Sequence, residues 1–203
     1  MLRATREQIV EAADQLFYQQ GYEHTSFKHI ADAVQISRGN FYYHFKTKDE
    51  ILAAVIEHRL EKTRKMLAQW QAQGRDPVEC IRCFIRILIM NQSKILQHGC
   101  PVGTLTSELA KLGHAAQRDA NGLFTLFREW LAGQFRRLGA GAAADELAMH
   151  LLARSQGVAT LANAFNDKGF IEQEVKQMEG WLDSNAKRLA EQNNKQQEGR
   201  KYE

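Results

Sequence analysis

Residues 33–50 read AVQISRGNFYYHFKTKDE. Five ring-bearing side chains, Phe41, Tyr42, Tyr43, His44 and Phe45, follow one another directly after Ser37-Arg38-Gly39-Asn40. A helix spreads consecutive side chains round its circumference, so only part of this run can enter a core. With Ser37 as N-cap, Phe41 and Phe45 fall four apart and share one face. They enter the core with Ile36. Arg38, Asn40, Tyr42, Tyr43 and His44 are left on other faces, with Lys46 and Lys48 just beyond.

The flanking sequence supplies the rest of a small helical unit. Ile9, Ala12, Ala13, Leu16 and Phe17 make one apolar stripe of helical period, and Gly21 ends that helix. A second helix carries Phe27, Ile30, Ala31 and Val34, with Thr25 read as its cap. The turn from Val34 to Ser37 then separates two helices in the manner of a helix-turn-helix. Thr47 and Glu50 form a capping box for a fourth helix bearing Ile51, Leu52, Val55, Ile56 and Leu60. Only two prolines occur, and alternating Val/Ile/Thr runs are missing, so the class is all-α.

Composition does little to name a partner. The net charge is +3, with a pI near 8.8. Residues 1–50 hold six Lys and Arg against seven Asp and Glu. A nucleic-acid reading therefore rests on local placement, not on a basic domain. The exposed face of the ring-bearing helix has that placement. Arginine suits guanine O6/N7, asparagine suits adenine N6/N7, and tyrosine hydroxyls and lysine suit phosphates. Gly39 removes a side chain where DNA backbone can approach, and amides at the helix starts near Thr25 and Lys48 suit phosphate. By composition alone an oligomer interface accounts for the exposed rings equally well.

The span from Thr5 to Leu52 resembles the DNA-binding domain of the TetR family of bacterial transcriptional repressors. LFYQQGYEHTSF followed by IADAVQISRGNFYYHFKTKDEIL carries the family's spacing from IA through VS-x-G-x-x-Y-x-HF-x-x-K to L. The resemblance implies phosphate contacts at Thr25, Tyr42, His44 and Lys48, and groove contacts at Arg38, Gly39, Asn40 and Tyr43. With Ser26, Lys28 and Ser37, these form the candidate DNA-binding set. It also implies a homodimer on double-stranded palindromic operator DNA, two recognition helices meeting successive major grooves about 34–36 Å apart. Gln35 departs from the pattern, because the family usually has glycine in the turn. At positive φ it would cost on the order of 1 kcal/mol.

Residues 1–48 are thus expected to form the helix-turn-helix domain, with a linking helix over about 48–70. Asp76-Pro77 marks the start of a second domain over 76–192, and 193–203 reads as a flexible polar tail. Helices are expected over roughly 77–97, 104–112, 115–138, 143–166 and 170–191. The small residues Ala148, Ala153, Gly157, Ala159 and Ala162, and the stripe Ile171, Val175, Met178 and Leu182, fit either intrachain core or a dimer interface. The resemblance implies the interface, built by the helices at 143–166 and 170–191.

Trp70, Phe84, Met90, Leu105, Phe124, Phe127 and Phe165 are candidate linings of a small-molecule inducer pocket. The segment HGCPVGTLTSELA (98–110) resembles that of the LmrA/YxaF-like subgroup, whose members answer to small aromatic or drug-like compounds. Thr104 is read there as a helix cap. Cys100, between two glycines near a helix start, offers a second reading as a redox or electrophile sensor, against packing in a tight loop. Cys80 and Cys83 form a CxxC within a continuous helix and lack further ligands, so no metal or other cofactor is expected.

No nucleophile–base pair or phosphate loop is recognisable, so an enzyme is not expected. The N-terminus lacks a signal-peptide pattern, no apolar run is long enough to span a bilayer, and three cysteines suit a reducing cytosol. The expected protein is a cytoplasmic, ligand-responsive repressor, possible targets being efflux or detoxification operons, with no membrane partner.

Overall fold

The computed structural model describes the backbone of residues 2–199 and the side chains of residues 5–195. Among the described residues every regular element is helical, and the chain divides into two compact units. The first comprises 1–64 with 100–124, the second 65–99 with 125–203.

Three helices open the first unit: α1 (Leu2–Gln20), α2 (Phe27–Val34) and α3 (Arg38–His44). Gly21, at φ 89°, ends α1 in the left-handed region. The cap of α2 is Ser26, one residue later than the sequence suggests. Its hydroxyl accepts from His29 N–H, and the His29 ring accepts from Ser26 N–H. Thr25 instead turns inward, donating to the Gly21 carbonyl at 2.7 Å and accepting from Gln20 at 3.1 Å. Ser37 caps α3 as expected, accepting from Asn40 N–H.

The turn between α2 and α3 passes through Gln35 at φ 57° and ψ 41°. A left-handed residue lets the Gln35 and Ile36 amides close on the last α2 carbonyls, as a glycine C-cap does. The side chain pays a steric penalty there of roughly 1–2 kcal/mol. Gln35→Gly is therefore expected to stabilise the protein by up to about 1 kcal/mol after glycine's own entropy cost. A thermal midpoint unchanged or lowered by this substitution would contradict the argument.

The fourth helix, α4 (Lys48–Gln73), follows Thr47, whose hydroxyl accepts from Glu50 N–H at 3.1 Å. The segment α7 (Pro101–Lys111) and the start of α8 (Gln117–Arg137) complete the first unit. By packing, this part of the stretch expected over 76–192 belongs with the first unit. Leu105, Leu109 and Ala120 are buried in one core with Ile9, Phe17, Ile30, Phe41, Phe45, Ile51 and Leu52. Arg59 ties the arrangement together, bonding to Asp14 at 2.5 Å and the Pro101 carbonyl at 2.6 Å. The start of α7 also moves: Cys100 is the N-cap and Pro101 sits in the first turn, so Thr104 lies inside the helix. Proline's preset φ favours that first position.

The second unit contains α5 (Pro77–Met90), α6 (Gln92–His98), α9 (Ala144–Phe165) and α10 (Lys168–Gly199), with the later part of α8. The helix expected over 77–97 breaks at Asn91, whose side-chain amide bonds the Ile87 carbonyl. Its core takes Cys80, Ile81, Phe84, Ile85 and Leu88 from α5. Against these elements α9 buries Ala148, Ala159 and Ala162, and α10 buries Ile171, Val175, Met178 and Leu182. Those residues are intrachain core, which leaves Ala153 and Gly157 as the exposed part of the small-residue set. The helix α10 continues past 191 to Gly199, so 193–199 is helical, and residues 200–203 of the expected tail lie outside the described residues. Leu189 is buried and Asn193 reaches the Leu138 carbonyl, which anchors this end.

Candidate nucleic-acid interface

The ring-bearing helix divides as its spacing requires. Phe41 and Phe45 are each 1% exposed, whereas Tyr42 and Tyr43 are 45% and 66% exposed. Phe27 of α2 packs on Phe41 with ring centroids 5.2 Å apart and meets Tyr42 edge-on at 5.5 Å. The two phenylalanines hold α3 down while α2 steadies the first tyrosine. Arg38, Gly39 and Asn40 stand exposed beside them. A Cβ added at Gly39 would meet nothing within 4 Å, so nothing inside the chain demands glycine there.

A groove of about 290 Å³ runs between α2 and α3, lined by Ser26, Phe27, Lys28, Ala31, Arg38, Phe41 and Tyr42. Two cations and two hydroxyls therefore border one apolar floor, an arrangement suited to a phosphodiester backbone. His44 is half-buried, and its Nε2 has no hydrogen-bond partner. Ser37 is exposed, with its hydroxyl engaged by the Asn40 amide.

Thr25 does not belong to this surface. It is 1% exposed and its hydroxyl is satisfied within the α1–α2 loop, so its side chain is removed from the candidate contact set. Lys48 is half-buried at the start of α4, with Nζ 3.0 Å from the Glu23 carbonyl and 4.2 Å above the Tyr22 ring. Burial lowers its ammonium pKa, opposed by the nearby Glu23, Glu108 and Asp49 carboxylates. Next to it, Tyr22 donates to Asp49 at 2.7 Å. That bond holds the Asp49 carboxyl below its ordinary range. Burial above all, with the same bond, pushes the Tyr22 phenol well above its own.

Sequence reading missed two kinds of residue here. Arg6, exposed on α1, places its guanidinium 4.8 Å over the Phe45 ring and so adds a cation beside α3. The second kind, Glu108 and His114, lies far along the chain and shows no local signal.

The proposed inducer lining does not assemble as one cavity. Trp70 pairs with Trp130 at 5.8 Å and Phe84 with Phe127 at 5.6 Å, all within the second unit. Met90 and Phe165 are 76% and 74% exposed, and Leu105 lies in the core of the first unit. Phe124 is half-buried at the edge of the first unit. Met90 instead borders an open surface groove with Arg86, Ile89 and Val175. Cys100 is half-buried, and its Sγ accepts from Gly103 N–H at 3.5 Å.

Among the described residues no group of three or more His, Cys, Asp or Glu is gathered as for a metal, and no helix is long and apolar enough to cross a membrane.

Comparison with known proteins agrees with this geometry. Residues 9–55 match the model of bacterial regulatory proteins of the tetR family. Residues 77–177 match the C-terminal domain of LmrA/YxaF-like transcriptional regulators. An uncharacterised helix-turn-helix regulator from the lacX 3' region of Lactococcus lactis subsp. lactis is 29% identical over 175 residues, 84% of this chain and 89% of that protein. The regulator LmrA of Bacillus subtilis (strain 168) is 27% identical, covering 82% of this chain and 85% of its own. The crystal structure of a TetR transcriptional regulator from Legionella pneumophila superposes with a TM-score of 0.76. It is 27% identical and covers 88% of this chain and 95% of its own. An exposed polar helix pinned by two buried phenylalanines, followed along the sequence by a match of LmrA/YxaF type, leads to one assignment: the chain belongs to the TetR family, as a DNA-binding transcriptional regulator and not an enzyme.

Proposed function

We propose that this regulator is a repressor which binds a palindromic operator as a homodimer and leaves it when a small hydrophobic or aromatic molecule binds. The observation that carries the DNA side is α3, with Arg38, Asn40, Tyr42 and Tyr43 exposed over a buried Phe41–Phe45 anchor. A dimer occupying its own promoter blocks transcription by excluding polymerase, and the cytoplasm is the compartment for such a role. We read the repressed gene as an efflux or detoxification function, on the expectation that a regulator resembling the LmrA/YxaF-like group answers to aromatic or drug-like compounds.

An exposed stripe on α9 supports the homodimer. Met149, Ala153, Gly157, Thr160 and Leu161 follow one another at helical spacing and stand exposed. Gly180 and Ser184 give α10 a similar small-residue strip. A Cβ added at Gly157 or Gly180 meets nothing within the chain, so both positions are open to close approach by a second copy. Gly157→Arg is expected to convert the dimer to monomer while leaving the thermal midpoint of the monomer nearly unchanged. Sedimentation of a Gly157→Arg dimer at the wild-type mass would rule this face out.

The inducer reading rests on the Trp70–Trp130 and Phe84–Phe127 pairs, together with Trp130 Nε1, a buried donor without a partner. Such a donor among rings suits an aromatic compound with one acceptor. Cys100 carries the alternative of a thiol switch, supported by the amide that faces its sulfur. The test is a gel shift with the DNA upstream of the protein's own gene, over a salt series and with aromatic compounds or thiol reagents added. Salt-sensitive, sequence-specific retardation that such compounds reverse is expected. Equal binding of operator and random duplex would refute the repressor reading, and full electrophile response in Cys100→Ser would refute the thiol switch.

A further inference from the structure

The loop after α1 grips a carboxylate from far along the chain. Tyr22 N–H donates to Glu108 Oε2 and Glu23 N–H to Glu108 Oε1, each at 2.9 Å. Consecutive amides that follow a left-handed residue form an anion-holding concavity, and here Gly21 supplies the left-handed turn at φ 89°. A Cβ at position 21 would sit 2.9 Å from Glu108 Oε1, so glycine also permits the carboxylate's approach.

The gripped residues form the shelf beneath Lys48. Its Nζ bonds the Glu23 carbonyl at 3.0 Å and rests 4.2 Å above the Tyr22 ring. The ammonium has three N–H donors; one is spent on Glu23, and the others remain for a phosphate.

The segment that supplies Glu108 braces Tyr22 a second time. The His114 ring meets Tyr22 edge-on at 5.2 Å. Its Nδ1 accepts from Ala116 N–H at 3.1 Å, so in the neutral ring the proton is on Nε2. That Nε2 lies 3.3 Å from the Tyr22 oxygen and 3.4 Å from Asp49. The Tyr22 hydroxyl in turn donates to Asp49, the residue after Lys48, at 2.7 Å.

We propose that Glu108 is a positioning residue for DNA binding: seated in the amide concavity of Gly21–Glu23, it fixes the shelf that aims Lys48 at a phosphate. This rests on the reading of Lys48 as a phosphate contact. Charge-assisted bonds to both amides make the grip strong, and a preset lysine loses less rotamer freedom when DNA arrives.

The sign of the effect makes the proposal testable. Removing a negative charge near a DNA-binding surface ordinarily strengthens binding. Glu108→Gln is expected to weaken it instead, by about five- to tenfold on operator and random duplex alike, since a phosphate contact carries no sequence information. The replacement amide turns an N–H towards a backbone N–H and so opens the grip. Glu108→Asp, which keeps the charge and reaches one amide, is expected to fall between wild type and Glu108→Gln.

Affinities are measured by fluorescence anisotropy over a salt series, in the full chain and in a Lys48→Ala background, with thermal midpoints recorded for every variant. If Glu108 acts through Lys48, Glu108→Gln costs less than about twofold once Lys48 is gone, the non-additivity of coupled sites. Equal losses in both backgrounds, or wild-type affinity for Glu108→Gln, would overturn the positioning role alone. Wild-type affinity for Lys48→Ala itself would overturn the phosphate reading, and the positioning role with it.

Discussion

Replacing Phe41 by alanine is expected to cost the DNA-binding unit about 3–5 kcal/mol, the usual loss for truncating a buried phenylalanine. Domains of this kind are stable by only about 5–15 kcal/mol, so the variant should be partly unfolded at 37 °C. The magnitude follows from position. Phe41 is 1% exposed, packs on Phe27 at 5.2 Å and belongs to the core that α1, α2, α4 and α7 share. Helix α3 has seven residues, too few to persist without tertiary support. Loss of the anchor therefore releases Arg38, Asn40, Tyr42 and Tyr43 together. Denaturant unfolding followed by circular dichroism should show a lowered midpoint, and DNA binding should fall in step with the folded fraction. A Phe41→Leu control that keeps the apolar volume should cost less than about 1.5 kcal/mol. A Phe41→Ala curve that overlays the wild type would mean that α3 is held by something else.

Arg38→Ala is expected to leave stability within about 0.5 kcal/mol, as exposed surface substitutions do. Within the chain Arg38 is exposed and borders the groove between α2 and α3. Its expected loss is in recognition: about 1–3 kcal/mol on the operator, or roughly five- to 150-fold in affinity, with a much smaller change on random duplex. A bidentate guanidinium–guanine contact produces that asymmetry, because random sequences seldom place guanine at the required step. Lys48→Ala is the contrast, weakening all duplexes similarly and lowering the salt slope by about one. Competition binding with labelled operator and random DNA separates the two. Equal losses on both duplexes for Arg38→Ala would assign that residue to the phosphate backbone.

The split of the ring run into anchor and surface was legible in the sequence because it depends on spacing within one turn. Most helix starts were legible to within a residue or two, but α7 begins three residues before the expected 104. Asp76-Pro77 and Ser37 were placed correctly, whereas neighbouring Thr25 and Ser26 offer equivalent hydroxyls, and only the packed loop decides which caps α2. Gln35 stood out as the residue in the glycine position of the turn, and it does adopt positive φ.

Other features depended on which face meets which. Small residues recur along α9, yet periodicity does not say whether Ala159 or Gly157 points inwards; packing against the neighbouring helices buries the former and leaves the latter open. Aromatic and long apolar residues of the second region looked alike as pocket candidates until Met90 and Phe165 proved exposed and Leu105 proved to belong to the other unit.

By itself, then, the sequence determined what lies within about four residues of chain: helical periods, the Ser37 and Asp76 caps, the Phe41–Phe45 anchor and the exposed polar face of α3. Tertiary structure alone decided that α7 completes the DNA-binding unit and that a carboxylate 86 residues beyond Tyr22 grips its amide. The physical reason is range. Backbone geometry repeats every few residues and leaves a periodic trace, whereas burial and charge pairing act between whichever surfaces meet, and a one-dimensional pattern carries no record of that meeting.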